Sequence, residues 1–162
     1  MRDGPMLPTH GCLWRRTSSL QQAKDEYWAE QVDIQRRVAT AWLLNAENKQ
    51  AEAQQTISAA ADAEDKTEKS IVTPGPLAPA RELYGTMLLE SGMAREALFA
   101  FEATLVKEPN RLGATIGAAQ AAEKLGDAAK ARQHYAKIVE LAEGADAGRP
   151  DVAHARMFMA KN

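Results

Sequence analysis

The chain has 162 residues, with Lys and Arg numbering 20 against 22 Asp and Glu, for a net charge of -2. That length suits one domain, and the near balance of charge removes the basic stripe that phosphate-backbone binding needs. Hydrophobic residues make up 45% but aromatic residues only 6%; much of the apolar share is alanine, which favours close-packed helices over a sheet sandwich.

Residues 1–20 hold Gly4, Pro5, Pro8 and Gly11 and show no helical period. They are expected to be a flexible tail, or else a non-native or upstream segment, because their character breaks sharply at Gln21. No apolar run is long enough for a signal peptide or a membrane span, so the expected location is the cytoplasm. The single cysteine, Cys12, lies in this segment, cannot form an internal disulfide, and is expected to be reduced.

From Gln21 to about Ala46 neither proline nor glycine interrupts the chain. Tyr27, Ile34, Val38, Ala41 and Trp42 recur at helical spacing, so one long helix is expected there. Asn48 breaks the pattern, and Ala51, Ala53, Ile57, Ala60 and Ala61 predict a second, alanine-rich helix to about Asp62. A charged stretch then runs into Pro74, Gly75, Pro76 and Pro79, which predicts an insertion loop at about 63–78. Beyond it, helices are expected at about 79–91, 94–107, 112–125 and 128–143, punctuated by Gly92, Pro109 and Gly126, with a last helix after Pro150. The total is seven helices in a domain spanning 21–162.

The chain repeats itself. A shift of 34 residues lays Gly85 on Ala119, Gly92 on Gly126, Ala97 on Ala131, Phe101 on Tyr135 and Leu105 on Val139. A small residue at the first position lets two antiparallel helices approach, and glycine at the second turns the chain between them. Alanine followed four residues later by an aromatic puts a gap and a filler on one face of the second helix. An earlier, degenerate copy follows if Asn48 stands for the turn glycine, since asparagine tolerates a left-handed backbone best after glycine. Ala41, Ala53, Ile57 and Ala60 then fall in register. The spacing from Asn48 to Gly92 exceeds the period by ten residues, which is the insertion loop.

These residues resemble the tetratricopeptide repeat. Residues 78–111 match with Tyr84, Gly85, Leu88, Gly92, Ala97, Phe101 and Pro109, although Thr104 replaces the usual alanine. Residues 112–145 match with Ala119, Gly126, Ala131 and Tyr135, with Glu143 in place of the helix-ending proline. The chain also resembles the C-terminal part of longer bacterial tetratricopeptide-repeat proteins of unassigned function, which would make it a fragment. The resemblance implies an all-α solenoid of about three helix-turn-helix repeats with a C-terminal capping helix. It also implies a non-enzymatic scaffold or adaptor that binds a protein or peptide partner along its first helices, without cofactor or metal. Ligand-facing positions carried over from the family are Val38, Trp42 and Asn45, then Glu82, Thr86, Leu89 and Glu90, then Ile116, Gln120, Glu123 and Lys124.

The groove so defined is mixed and slightly acidic. The lysine and asparagine with which some relatives hold a chaperone's C-terminal carboxylate are absent: Val38, Glu82 and Ile116, then Trp42, Thr86 and Gln120, stand at those positions. Trp42 and Leu89 have a competing assignment as core, and the three glutamates as a solvated face. Self-association through Tyr27, Trp28, Val32 and Trp42 of the long first helix, giving a homodimer, is the second functional reading.

Catalytic and metal motifs are thin. His10 and Cys12 lack the further ligands of a structural metal site. His134 and His154 are expected on the surface without a nucleophile or carboxylate partner. Gly113 and Gly117 form GxxxG, better explained by close helix packing than by a phosphate loop, because no Gly-Lys-Ser/Thr follows. Pro76 and Pro79 read as a rigid connection before a helix start rather than as a docking motif.

Overall fold

A computed structural model describes residues 26–67, 76–144 and 148–161. The expected tail at 1–20 and residues 68–75 of the expected insertion loop lie outside the described residues. Among the described residues seven helices follow in order: α1 Glu26–Ala46, α2 Gln50–Lys66, α3 Ala80–Glu90, α4 Ala94–Lys107, α5 Leu112–Lys124, α6 Ala128–Leu141 and α7 Pro150–Lys161. No strand occurs among the described residues. The chain divides into two compact units, Met1–Thr73 and Pro74–Asn162.

The described part of the first unit is the hairpin of α1 and α2. Ala29, Ile34, Val38 and Ala41 bury one stripe of α1, and Ala53, Ile57, Ala60 and Ala61 bury the facing stripe of α2. The alanines let the two backbones approach, and Ile34 with Ile57 fills the space between them. On α1, Asp33 bridges Arg36 at 2.7 Å and Arg37 at 2.6 Å.

The second unit stacks two hairpins, α3 with α4 and α5 with α6, and adds α7. Each helix packs on its chain neighbours, and α3 also meets α5. This is the contact pattern of stacked repeats, in which no hairpin buries its apolar face alone.

The three hairpin turns are built alike. Gly92 and Gly126 have φ of 80° and 71°, and Asn48 is the one non-glycine residue described with positive φ, at 62°. In each turn the residue after the left-handed position donates its N–H back across the helix end. Lys49 bonds the Leu44 carbonyl at 2.9 Å, Met93 that of Leu88 at 2.9 Å, and Asp127 that of Ala122 at 3.0 Å. Asn48, Gly92 and Gly126 themselves donate to Asn45, Leu89 and Glu123 at 3.0, 3.2 and 3.0 Å. These paired bonds satisfy carbonyls that a helix end otherwise leaves open. The assignment of Asn48 as a stand-in for glycine therefore holds at the level of the backbone.

The centre of the second unit is Phe101 of α4, whose ring lies between Gly85 of α3 and Gly117 of α5. A Cβ added at Gly85 would come within 2.9 Å of that ring, and one at Gly117 would overlap it. Tyr135, the equivalent residue of α6, is equally buried, with its ring against Phe158 of α7 at a centroid distance of 4.6 Å and against His154 at 5.3 Å. The last helix thus gives Tyr135 the second wall that α5 gives Phe101. Thr104, which replaces the usual alanine, is buried without loss because its hydroxyl donates to the Ala100 carbonyl at 3.0 Å.

Two helix ends differ from expectation. The second helix runs a turn further, to Lys66, whose charge suits the C-terminal end, and the Thr67 N–H closes it by donating to the Glu64 carbonyl at 3.1 Å. The sixth stops at Leu141 rather than 143, because Gly144 turns left-handed with φ of 77°.

Gly117→Ala is expected to destabilise the protein by about 1–3 kcal/mol, the usual cost of forcing a methyl group into a filled core. Urea unfolding of the variant should show this as a lower midpoint with an unchanged slope. Gly148→Ala, where an added Cβ meets nothing within 4 Å, should leave the midpoint near that of the parent.

Candidate partner-binding face

The first helices of the second unit, α3 and α5, lie side by side, held apart at the width of the Phe101 ring. Residues spaced by three and four along each helix share a face: Glu82, Thr86 and Glu90 on α3, and Ile116, Gln120, Glu123 and Lys124 on α5. Arg111, just before α5, fastens one end. Its guanidinium donates from Nε to the Glu82 carboxylate, from Nη2 to the Leu77 carbonyl, and from Nη1 to Glu108 Oε2 at 3.1 Å. Glu82 is thereby neutralised within the molecule, and its side chain is mostly buried. Gly113 leaves room for that carboxylate, since a Cβ there would press on Glu82 Oε1. The Thr86 hydroxyl donates to the Glu82 carbonyl at 3.1 Å, one turn back.

The other end of α5 is fastened through Glu123. The Tyr135 hydroxyl donates to Glu123 Oε2, and His154 Nε2 of α7 lies 3.0 Å from the same oxygen. The bond from Tyr135 holds the Glu123 carboxyl below its ordinary range against the opposing effect of burial, and His154 adds to it. Burial first, and then the adjacent carboxylate, pushes the Tyr135 phenol up. Two of the three glutamates expected on this face, Glu82 and Glu123, therefore have partners within the molecule. Glu90, Glu123 and Lys124 are the exposed charges of this face, and of these Glu123 already accepts from Tyr135. Between the fastened ends lie half-buried Thr86 and Ile116 and exposed Gln120.

Two residues carried over as ligand-facing lie in the core. Leu89 is 8% exposed and joins the cluster around Phe101. Val38, 6% exposed, sits four residues after Ile34 and three before Ala41, on the stripe that faces α2. In the first unit Trp42 and Asn45 are half-buried.

The histidines also depart from expectation. His134 is not a surface residue: it is 8% exposed, with Nε2 3.7 Å from Glu102 Oε1, an oxygen that also accepts from Lys130 Nζ at 2.7 Å. Burial lowers its pKa, with Glu102 acting in the opposite sense. His154 is exposed as expected, but has Glu123 as a carboxylate partner. Arg111, Tyr135 and His154, which shape the face, were not among the expected site residues; their partners lie 29, 12 and 31 residues away in the chain.

Among the described residues no three His, Cys, Asp or Glu side chains gather where they would hold a metal ion. No described helix is long and apolar enough to cross a membrane. His10 and Cys12 lie outside the described residues.

The arrangement defines a helical-repeat protein of tetratricopeptide-like fold. Solved structures share it. PcrH from Pseudomonas aeruginosa matches with a TM-score of 0.60 at 17% sequence identity, over 80% of this chain and 90% of that one. MamA, residues 41 to the end, from Desulfovibrio magneticus RS-1, matches with a TM-score of 0.58 at 13% identity, over 97% of this chain and 94% of that one. Both are tetratricopeptide-repeat proteins. No protein-family model matches the sequence, and no curated protein does.

The buried His134 has a consequence for stability. Its folded pKa lies below the unfolded value of about 6.5, so the unfolded chain takes up the proton first as pH falls. Stability is expected to be highest above about pH 6.5 and to fall below it, until the folded form also protonates. Urea midpoints measured from pH 7.5 down to about pH 5 should fall in the parent protein. In His134→Gln that part of the slope should disappear.

Proposed function

We propose that the second unit is a non-enzymatic protein-interaction module, a cytoplasmic scaffold or adaptor without cofactor, that holds a peptide or partner helix against α3 and α5. One observation carries this: the face is fastened at both ends by internal contacts while Thr86, Ile116 and Gln120 between them are left open to solvent in whole or part. Ile116 offers an apolar anchor. The Gln120 amide offers both a donor and an acceptor, which suits the main chain of an extended segment. The Thr86 hydroxyl retains its acceptor capacity.

The internal engagement of Glu82 and Glu123 shapes the partner. A groove with two open carboxylates would select a basic segment, with affinity that falls as salt screens it. Here Glu82 is sunk and paired with Arg111, and the exposed Glu123 already accepts from Tyr135 beside His154. The preferred segment is therefore mainly apolar, with an acid near Lys124 and a base near Glu90. The tetratricopeptide-like fold supports the choice of a protein partner, because stacked repeats present extended surfaces of this kind.

Peptides selected from a random library on the purified protein are the test. Ile116→Glu combined with Gln120→Ala should weaken the selected peptides at least tenfold, about 1.4 kcal/mol, in a fluorescence-polarisation titration. The helical circular dichroism should stay unchanged. Equal binding by parent and variant would remove α3 and α5 from the site.

A further inference from the structure

The outer face of α4 carries an apolar stripe that the repeat does not require. Phe99 is 72% exposed and Val106 83% exposed, seven residues apart on one side of the helix, with Ala103 between them. The other copies of the repeat act as an internal control. At the positions of Phe99 and Val106, α6 carries Gln133 and Glu140, and α2 carries Gln55 and Asp62. Polar residues thus serve the fold equally well at both positions. The stripe on α4 leaves two large apolar side chains in water on one side of a helix, a surface suited to a partner that covers both.

The charges on the same helix point to what covers it. The acidic residue of the first turn is Glu96 and the basic residue of the last turn is Lys107. Glu96 is three residues before Phe99 and Lys107 four after Ala103, so both border the stripe along one edge. They are eleven residues apart, about 16 Å along the axis, too far to pair with each other. A two-fold axis through the middle of α4 brings Glu96 of one copy to Lys107 of the other twice over. The same operation lays Phe99 on Ala103 and Val106 of the facing helix, where the small Ala103 makes the hole for the ring. A parallel two-fold pairing would put the charged edges of the two copies on opposite sides of the interface, where Glu96 and Lys107 could not meet.

We propose that this face binds a second copy of the chain, α4 against α4 in antiparallel orientation. The surface is distinct from the α3 and α5 face and does not depend on the function proposed for it. The patch is small, below the roughly 1,200 Å² of standard stable interfaces, so the dimer is a transient one that forms in the micromolar range or above.

Sedimentation equilibrium over a dilution series reaching on the order of 100 µM should show the weight-average mass rising toward twice that of the monomer. Phe99→Gln with Val106→Glu, the residues α6 already uses there, should give a monomer throughout with unchanged helical circular dichroism. Glu96→Lys and Lys107→Glu should each weaken association several-fold, and the two together should restore it. This charge exchange keeps the apolar pair and decides the matter if the polar variant fails to fold. A parent protein monomeric at every concentration overturns the proposal. So does a dimer that survives Phe99→Gln with Val106→Glu, which would move the contact to another face, or a charge exchange that restores nothing.

Discussion

The second unit depends on one ring held in a slot of two glycines. Phe101 reaches from α4 to lie between Gly85 and Gly117, and in doing so fixes how closely α3 and α5 approach. Burying an aromatic side chain contributes about 1.5–3 kcal/mol, but position matters as much as energy here. A larger residue on either wall would push the first helices apart, and a smaller filler would let them collapse or leave a cavity. Tyr135 repeats the arrangement one step along the chain and adds a hydroxyl. Because that hydroxyl reaches Glu123, the core of the second hairpin is tied directly to the surface of α5.

The electrostatics of the first-helix face follow from this packing. When α3 and α5 sit a ring's width apart, Arg111 can span from Glu82 to the Leu77 carbonyl, and His154 can reach Glu123 from α7. Carboxylates that look like ligand contacts along the helix become struts between helices. What remains open is short and uncharged at its centre, with Glu90 at one side and the exposed pair Glu123 and Lys124 at the other. Second helices are joined in the same manner, with Glu102 of α4 between Lys130 and His134 of α6; the apolar setting there keeps the imidazole neutral more readily than water would.

Comparison of one repeat with the next separates what the fold demands from what it permits. Small residues at 85 and 119, aromatic ones at 101 and 135, and left-handed turns at 92 and 126 recur because each meets a geometric requirement. The outward positions of the second helices carry no such requirement. Their departure from one copy to the next, Phe99 against Gln133 and Val106 against Glu140, marks the places where this chain is free to specialise.

Much of the architecture was legible in the residues. Helix positions, the turns at Gly92 and Gly126, and the turn at Asn48 are local matters: a 3.6-residue period and a left-handed residue are set within one or two turns of backbone. The stripe that each helix buries was nearly as clear. Which neighbour a surface side chain meets was not, because periodicity assigns a face and says nothing of what stands opposite. The pairing of Glu82 with Arg111 and of Glu123 with His154, the burial of His134 beside Glu102, and the loss of Val38 and Leu89 to the core all needed the tertiary structure. These contacts join residues distant in the chain or depend on how deeply one helix sinks against the next. Spacing along the chain thus determined the rods and their bends, and packing between them decided which side chains remained free to meet a partner.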